Sequence, residues 1–262
     1  MKKQAKQPII EVQNLDVIRS QTTVIKNATF AVYAGDYVGI VGPNGGGKTS
    51  LLLALLGIIP HKKGTIRFFG EDINSFSAWE KIAYVSQHAT NFDTQFPLNV
   101  KELVALGRIH KANIGRRLHP SDWNAVDESL KLMGISDISK KRIGELSGGQ
   151  KQRVFVAKAL VRNPEVLILD EPVAGVDATA LESFYKKLSD LNTDKRITIL
   201  IVSHDLTAVF CRMSKFMCVN QQVYLSDISK DSDPNVILKQ AYGEHFHFVF
   251  HEHTCKGDFS HE

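Results

Sequence analysis

Residues 37–57, YVGIVGPNGGGKTSLLLALLG, limit the possible folds of this chain more than any other stretch. Tyr37 to Val41 is a short apolar run ending in β-branched residues, the pattern of a parallel strand buried on both faces. Gly42 to Thr49 reads G-x-x-x-x-G-K-T, and the LLLALL beyond it suits a buried helix. Strand, glycine-rich loop and helix in that order predict a phosphate cradle in an α/β fold. A triphosphate carries several negative charges and needs many donors at short range. Gly45, Gly46 and Gly47 let backbone N–H groups approach it without a Cβ in the way. The helix N-terminus adds partial positive charge. Lys48 can reach the β- and γ-phosphates, and the Thr49 hydroxyl can ligate Mg²⁺. The candidate nucleotide-binding set is Gly42, Pro43, Asn44, Gly45, Gly46, Gly47, Lys48, Thr49 and Ser50.

A second apolar run, VLILDE at 166–171, predicts a buried strand that ends in two carboxylates. Buried strands seldom end so unless the acids act. Asp170 stands where a ligand for a Mg²⁺-bound water is wanted, and Glu171 where a general base would polarise an attacking water. A third run, ITILIVSHD at 197–205, predicts another strand, with His204 at its C-terminal end. Ligands of open parallel sheets bind at that edge, so His204 is a candidate contact to the γ-phosphate.

Between the first two runs lies ELSGGQKQRVFVAKALVRNPE. Ser147, Gly148, Gly149 and Gln150 open a predicted helix that continues through Leu160, which makes a second anion-binding helix start. Two such devices beside one lysine-bearing cradle suggest that the second serves the nucleotide of another copy of the chain.

Composition removes several alternatives. With 32 basic and 28 acidic side chains the net charge is +4, too small an excess to argue for a nucleic-acid partner. The longest apolar stretch, LLLALLGII, falls far short of the ~20 residues needed to span a bilayer. Any work at a membrane then requires another chain to supply the spanning helices.

Taken together these segments resemble the ATPase (nucleotide-binding) subunit of ABC transporters over nearly the whole chain. GPNGGGKT looks like Walker A, VLILDE like Walker B, and LSGGQ at 146–150 like the ABC signature. Gln87 in YVSQ matches the Q-loop, Asp177 in AGVDA the D-loop, and His204 the switch histidine. The resemblance implies a P-loop ATPase fold with a RecA-like core, an antiparallel β region on the N-terminal side and an inserted helical subdomain. The cassette would occupy 1–242, with the insert at about 88–160, and 243–262 would form a tail. It implies ATP and Mg²⁺ as ligands, with Thr49 and Gln87 on the metal and Glu171, His204 and Gln87 in catalysis. It also implies a head-to-tail dimer that sandwiches two ATPs, docked on integral membrane permease subunits at the cytoplasmic face of the plasma or inner membrane. One departure concerns the base. The family places an aromatic near residue 19 to stack on adenine, whereas this chain has Arg19, whose guanidinium can also stack on a flat ring.

The finer resemblance is to the ATPase subunits of zinc and manganese importers, carried by FPLNVKELVALGR, AGVDATALESFYKKL and MCVNQQV. It implies import of a divalent transition metal, zinc before manganese, with an extracytoplasmic metal-binding protein as an indirect partner. Import of iron or an iron chelate, and a soluble ABC ATPase without a permease, stand as alternatives. The tail, GEHFHFVFHEHTC, sets His245, His247, His251, His253 and Cys255 on one face of an extended strand and Phe246, Phe248 and Phe250 on the other. Imidazole and thiolate both suit Zn²⁺. His245 and His253 would lie roughly 26 Å apart at ~3.3 Å per residue, so two separate His-x-His sites fit better than one. A plain amphipathic edge strand and a frayed end are the other readings of the same residues.

Overall fold

The computed structural model describes residues 7–90, 97–172 and 178–228. The histidine-rich tail and Asp177 lie outside the described residues. Two compact units divide the chain, the first drawn from 1–77 and from Leu200 onward, the second from Ala78–Ile199.

The first unit begins with strands β1 (Ile10–Arg19), β2 (Thr22–Val32) and β3 (Tyr37–Val41), helix α1 (Lys48–Leu55), and strands β4 (Lys63–Phe68) and β5 (Glu71–Asp72). β1 and β2 form a hairpin through Ser20 and Gln21, both at positive φ (47° and 68°). A two-residue turn of that hand matches the right-handed twist of its strands. Alternation along β1 buries Ile10, Val12, Leu15 and Val17. The order β2-β1-β4-β5 is the antiparallel region expected on the N-terminal side.

All five residues of β3 are buried, as its apolar run predicts. β9 (Lys215–Asn220) lies parallel to β3, and β10 (Gln222–Asp227) turns back antiparallel on β9. At the end of β8 (Thr198–Val202) the Ser203 N–H donates to the Ile40 carbonyl at 3.1 Å, which sets the ends of β8 and β3 side by side. Helix α6 (Leu206–Arg212) follows, capped by Asp205, whose carboxylate accepts from the Ala208 N–H at 3.0 Å. Leu51, Leu52 and Leu55 of α1 are buried together with Ile10, Ile25, Ile40 and Phe216.

The second unit contains β6 (Ile82–Val85), α2 (Val100–Ala105), α3 (Pro120–Leu132), α4 (Gly148–Leu160), β7 (Val166–Asp170) and α5 (Ala178–Lys195). β6 runs parallel to β7 with Tyr84 opposite Ile168. Helices α2, α3 and α4 pack on one another and bury Val100, Leu103, Val104, Val126, Leu130, Val154 and Val156. Local sequence explains their starts. Asn99 caps α2 by accepting from the Glu102 N–H at 2.8 Å, and Glu102 accepts in return from the Asn99 N–H at 2.9 Å. Pro120 opens α3, and Asp122 accepts from the His119 N–H at 2.9 Å. Arg108 then clamps the Asp122 carboxylate through Nε and Nη2, both at 2.8 Å.

Between 97 and 160 the regular elements are helices. The strands are shorter than the apolar runs suggest. β7 ends at Asp170, so Glu171 lies just beyond it, and β8 ends at Val202, two residues before His204.

Candidate functional site

In the first unit the glycine-rich loop joins β3 to α1, and other strands hold it. The Gly46 N–H donates to the Pro43 carbonyl at 3.0 Å, and the Gly46 carbonyl accepts from the Gln221 N–H at 3.0 Å. The Gln221 carbonyl in turn accepts from the Lys26 N–H at 2.7 Å. Gly42 is required by close approach: a Cβ there would stand 2.0 Å from the Val219 carbonyl oxygen. Gly45 is required by conformation, with φ at +77° and open space within 4 Å of where a Cβ would point. The loop is thus backed by β9 on one side and open on the other, a shape that accepts a polyphosphate. Lys48 is buried, and its Nζ donates to the Gly42 and Pro43 carbonyls at 2.9 and 3.0 Å. The loop's own backbone therefore orients the cation. Thr49 and buried Ser50 follow in the first turn of α1. His204 is exposed just past β8.

In the second unit Asp170 and Glu171 differ sharply. Asp170 is 1% exposed. The Tyr84 hydroxyl on β6 donates to its Oδ2 at 3.4 Å. Burial, followed by the charge of Asp170, pushes the Tyr84 phenol up to about 12. Glu171 adopts φ +46°, the left-handed region that non-glycine residues seldom enter. The turn takes its side chain out of the strand alternation. There Glu171 Oε2 accepts from Gln87 Nε2 at 2.7 Å. Gln87, Asp170 and Glu171 are thus brought together beyond the ends of two parallel strands.

The second glycine-opened helix is present as well. Ser147 caps α4, with its Oγ accepting from the Gln150 N–H at 3.3 Å and its own N–H donating to Gln150 Oε1 at 3.1 Å. Ser147 and Gly148 are exposed, so the helix start faces outward.

Two features were not singled out from sequence. One is Tyr84 beside Asp170, which the strand register could have suggested, since Tyr84 sits three residues before Gln87 on the strand that pairs with β7. The other is a groove of about 430 Å³ in the second unit, lined by Trp79, Glu80, Tyr84, Phe155, Lys158 and Arg162 among others. Burial holds the Lys158 ammonium below its ordinary range, and its Nζ stands 5.9 Å from the centre of the Phe155 ring.

Residues 25–174 match the family model described as ABC transporter. The chain is 41% identical over 215 residues to the zinc uptake system ATP-binding protein ZurA of Listeria innocua, covering 82% of this chain and 84% of that protein. It is 37% identical over 237 residues to the manganese transport system ATP-binding protein MntB of Halalkalibacterium halodurans, covering 90% and 93%. Among solved structures, a nucleotide-free ATP-binding cassette from an ABC transporter superposes with a TM-score of 0.77 at 23% identity, covering 88% of this chain and 98% of that one.

Proposed function

Because the chain belongs to the ATP-binding subunits of ABC transporters, an ATPase family, we propose that it drives import of a divalent transition metal, zinc before manganese. Support comes from relatives named for zinc uptake and for manganese transport at 41% and 37% identity over most of the chain. The observation that carries the catalytic assignment is the Gln87–Glu171 contact at 2.7 Å beside buried Asp170.

In this reading the open side of the Gly42–Gly47 loop takes the phosphates of ATP. Lys48 exchanges its carbonyl partners for phosphate oxygens, which provide stronger charge-assisted bonds. Thr49 and Gln87 would hold Mg²⁺, and Asp170 would order its water. The ion supplies charge neutralisation on the phosphates. Tyr84 keeps the Asp170 carboxylate oriented. Glu171 takes the proton of the attacking water, and Gln87 positions that carboxylate until nucleotide arrives. His204 contacts the γ-phosphate and stabilises charge that develops there. Ser147, Gly148, Gly149 and Gln150 present an outward helix start to the nucleotide held by a second copy, with Asp177 at the same interface.

A permease segment would dock in the groove lined by Trp79, Phe155 and Lys158, where the desolvated ammonium favours an acidic or carbonyl-rich partner. Such docking would place the ATPase at the cytoplasmic face of the membrane. Among the described residues no helix is long and apolar enough to cross a membrane. The tail histidines and Cys255 would bind zinc and damp import once the cell is loaded.

The test is transport by the chain reconstituted with its permease in vesicles. ATP-dependent uptake of radioactive zinc, reduced more by unlabelled zinc than by manganese, is the expected result. Uptake of neither metal would contradict the cargo assignment. A chain truncated at Gly243 is expected to keep basal ATPase activity and lose zinc inhibition, and unchanged inhibition would remove the tail from the account.

A further inference from the structure

We propose that the loop Leu106–Arg117 is a docking element for an anionic lipid bilayer. Its sequence, LGRIHKANIGRR, holds four Lys or Arg side chains and no acid. Arg108 is occupied by Asp122. Lys111, Arg116 and Arg117 are exposed and make no ion pair among the described residues. Beside them stand three apolar side chains that the fold leaves in solvent: Ile114 at 69%, Ile109 at 42% and Leu106 at 40% exposure.

This display is built into the local structure. The Asn113 side chain accepts from the His110 N–H at 2.7 Å and donates to the Arg108 carbonyl at 3.0 Å. The Ile114 and Arg116 N–H groups donate to the His110 and Asn113 carbonyls at 3.1 and 3.0 Å. A hydrogen-bonded turn thus holds Ile114 outward instead of letting it fold back on the protein. The next residue, Gly115, has nothing within 4 Å of where a Cβ would stand. Gly107, at the loop's start, lines the groove beside Trp79, but residues 111–117 line neither that groove nor a strand. Peptides are bound in grooves or along strand edges, so the cationic tip suits a different kind of surface. A protruding apolar residue ringed by cations suits a laterally continuous surface: phosphate headgroups for the cations and the acyl boundary for the isoleucines.

The inference does not depend on which metal is moved or on how ATP is hydrolysed. The test is sedimentation of the full chain with lipid vesicles. Each cation near an anionic surface is worth roughly a fivefold gain in partition, so three predict about a hundredfold preference for phosphatidylglycerol-containing vesicles over pure phosphatidylcholine. That preference should shrink with added salt and persist in excess inorganic phosphate. The R116E/R117E chain, checked for unchanged thermal melting and ATPase rate, should lose more than about tenfold of the binding. Ile114→Ser should weaken it by about an order of magnitude through lost apolar burial. Equal binding of wild type and R116E/R117E, or no preference for anionic vesicles, overturns the proposal. So does a result in which R116E/R117E releases the chain from its permease in phosphatidylcholine vesicles while wild type ignores phosphatidylglycerol, because the loop would then serve a protein.

Discussion

Glu171 concentrates the chemistry at the scale of single residues. Its φ of +46° costs on the order of 1–2 kcal/mol, which the flanking buried strand absorbs. The benefit is a carboxylate turned toward Gln87 instead of buried beside Asp170. Glu171→Gln is expected to retain ATP binding and to lower turnover roughly 10²- to 10⁴-fold, the usual contribution of a positioned base. Steady-state phosphate release together with equilibrium nucleotide binding checks this, and turnover near the wild-type rate would reject Glu171 as the base. The loop glycines give a paired test. Gly42→Ala drives a methyl into the Val219 carbonyl and should cost about 1–3 kcal/mol of stability as well as nucleotide affinity. Gly45→Ala meets open space, so its effect is confined to the backbone strain of φ +77°. Thermal melts with and without nucleotide separate the two. Arg19, exposed at the end of β1, is the candidate for stacking on the base. Arg19→Tyr should then raise ATP affinity relative to GTP in a competition assay.

At the scale of elements, the start of α3 depends on Asp122, which the His119 N–H and then Arg108 hold below the ordinary carboxylate range. A carboxyl depressed on folding contributes stability above its unfolded pKa, and that contribution is lost as pH falls through the folded value. Asp122→Asn should therefore melt earlier than wild type at neutral pH, and the two curves should converge in acid below the ordinary carboxylate range. Curves that remain parallel across that range would assign the loss to packing instead. Ser147→Ala should cost α4 roughly 1 kcal/mol through its lost cap. Which elements were legible follows from the same physics. β3, β7 and β8 announced themselves because strands buried on both faces are built almost wholly of apolar residues, with Asp170 and Thr198 only at strand ends. α4 did so through its glycine-opened start. The strand ends did not, because Glu171 and His204 leave the strand through backbone turns that no periodicity records. The Tyr84–Asp170 contact was hidden for another reason: it depends on which strand lies beside β7, and that is a matter of pairing, not of local sequence. The Leu106–Arg117 turn was equally silent, since side-chain hydrogen bonds from Asn113 set its shape.

At the scale of the whole molecule, one chain carries one lysine-bearing cradle and one outward helix start at Ser147. The family reading assigns these to two different nucleotides. The account predicts that neither ATP site is complete in a single chain, so turnover per chain should rise with protein concentration. It also predicts that substitutions at Ser147 impair turnover without weakening nucleotide binding to the isolated chain. The most direct measurement is sedimentation of the Glu171→Gln chain saturated with ATP and magnesium. A stable dimer that dissociates when nucleotide is removed is the predicted result. A chain that stays single under those conditions, and that shows no paired cassette when bound to its permease, would contradict the claim that two copies complete each other's sites.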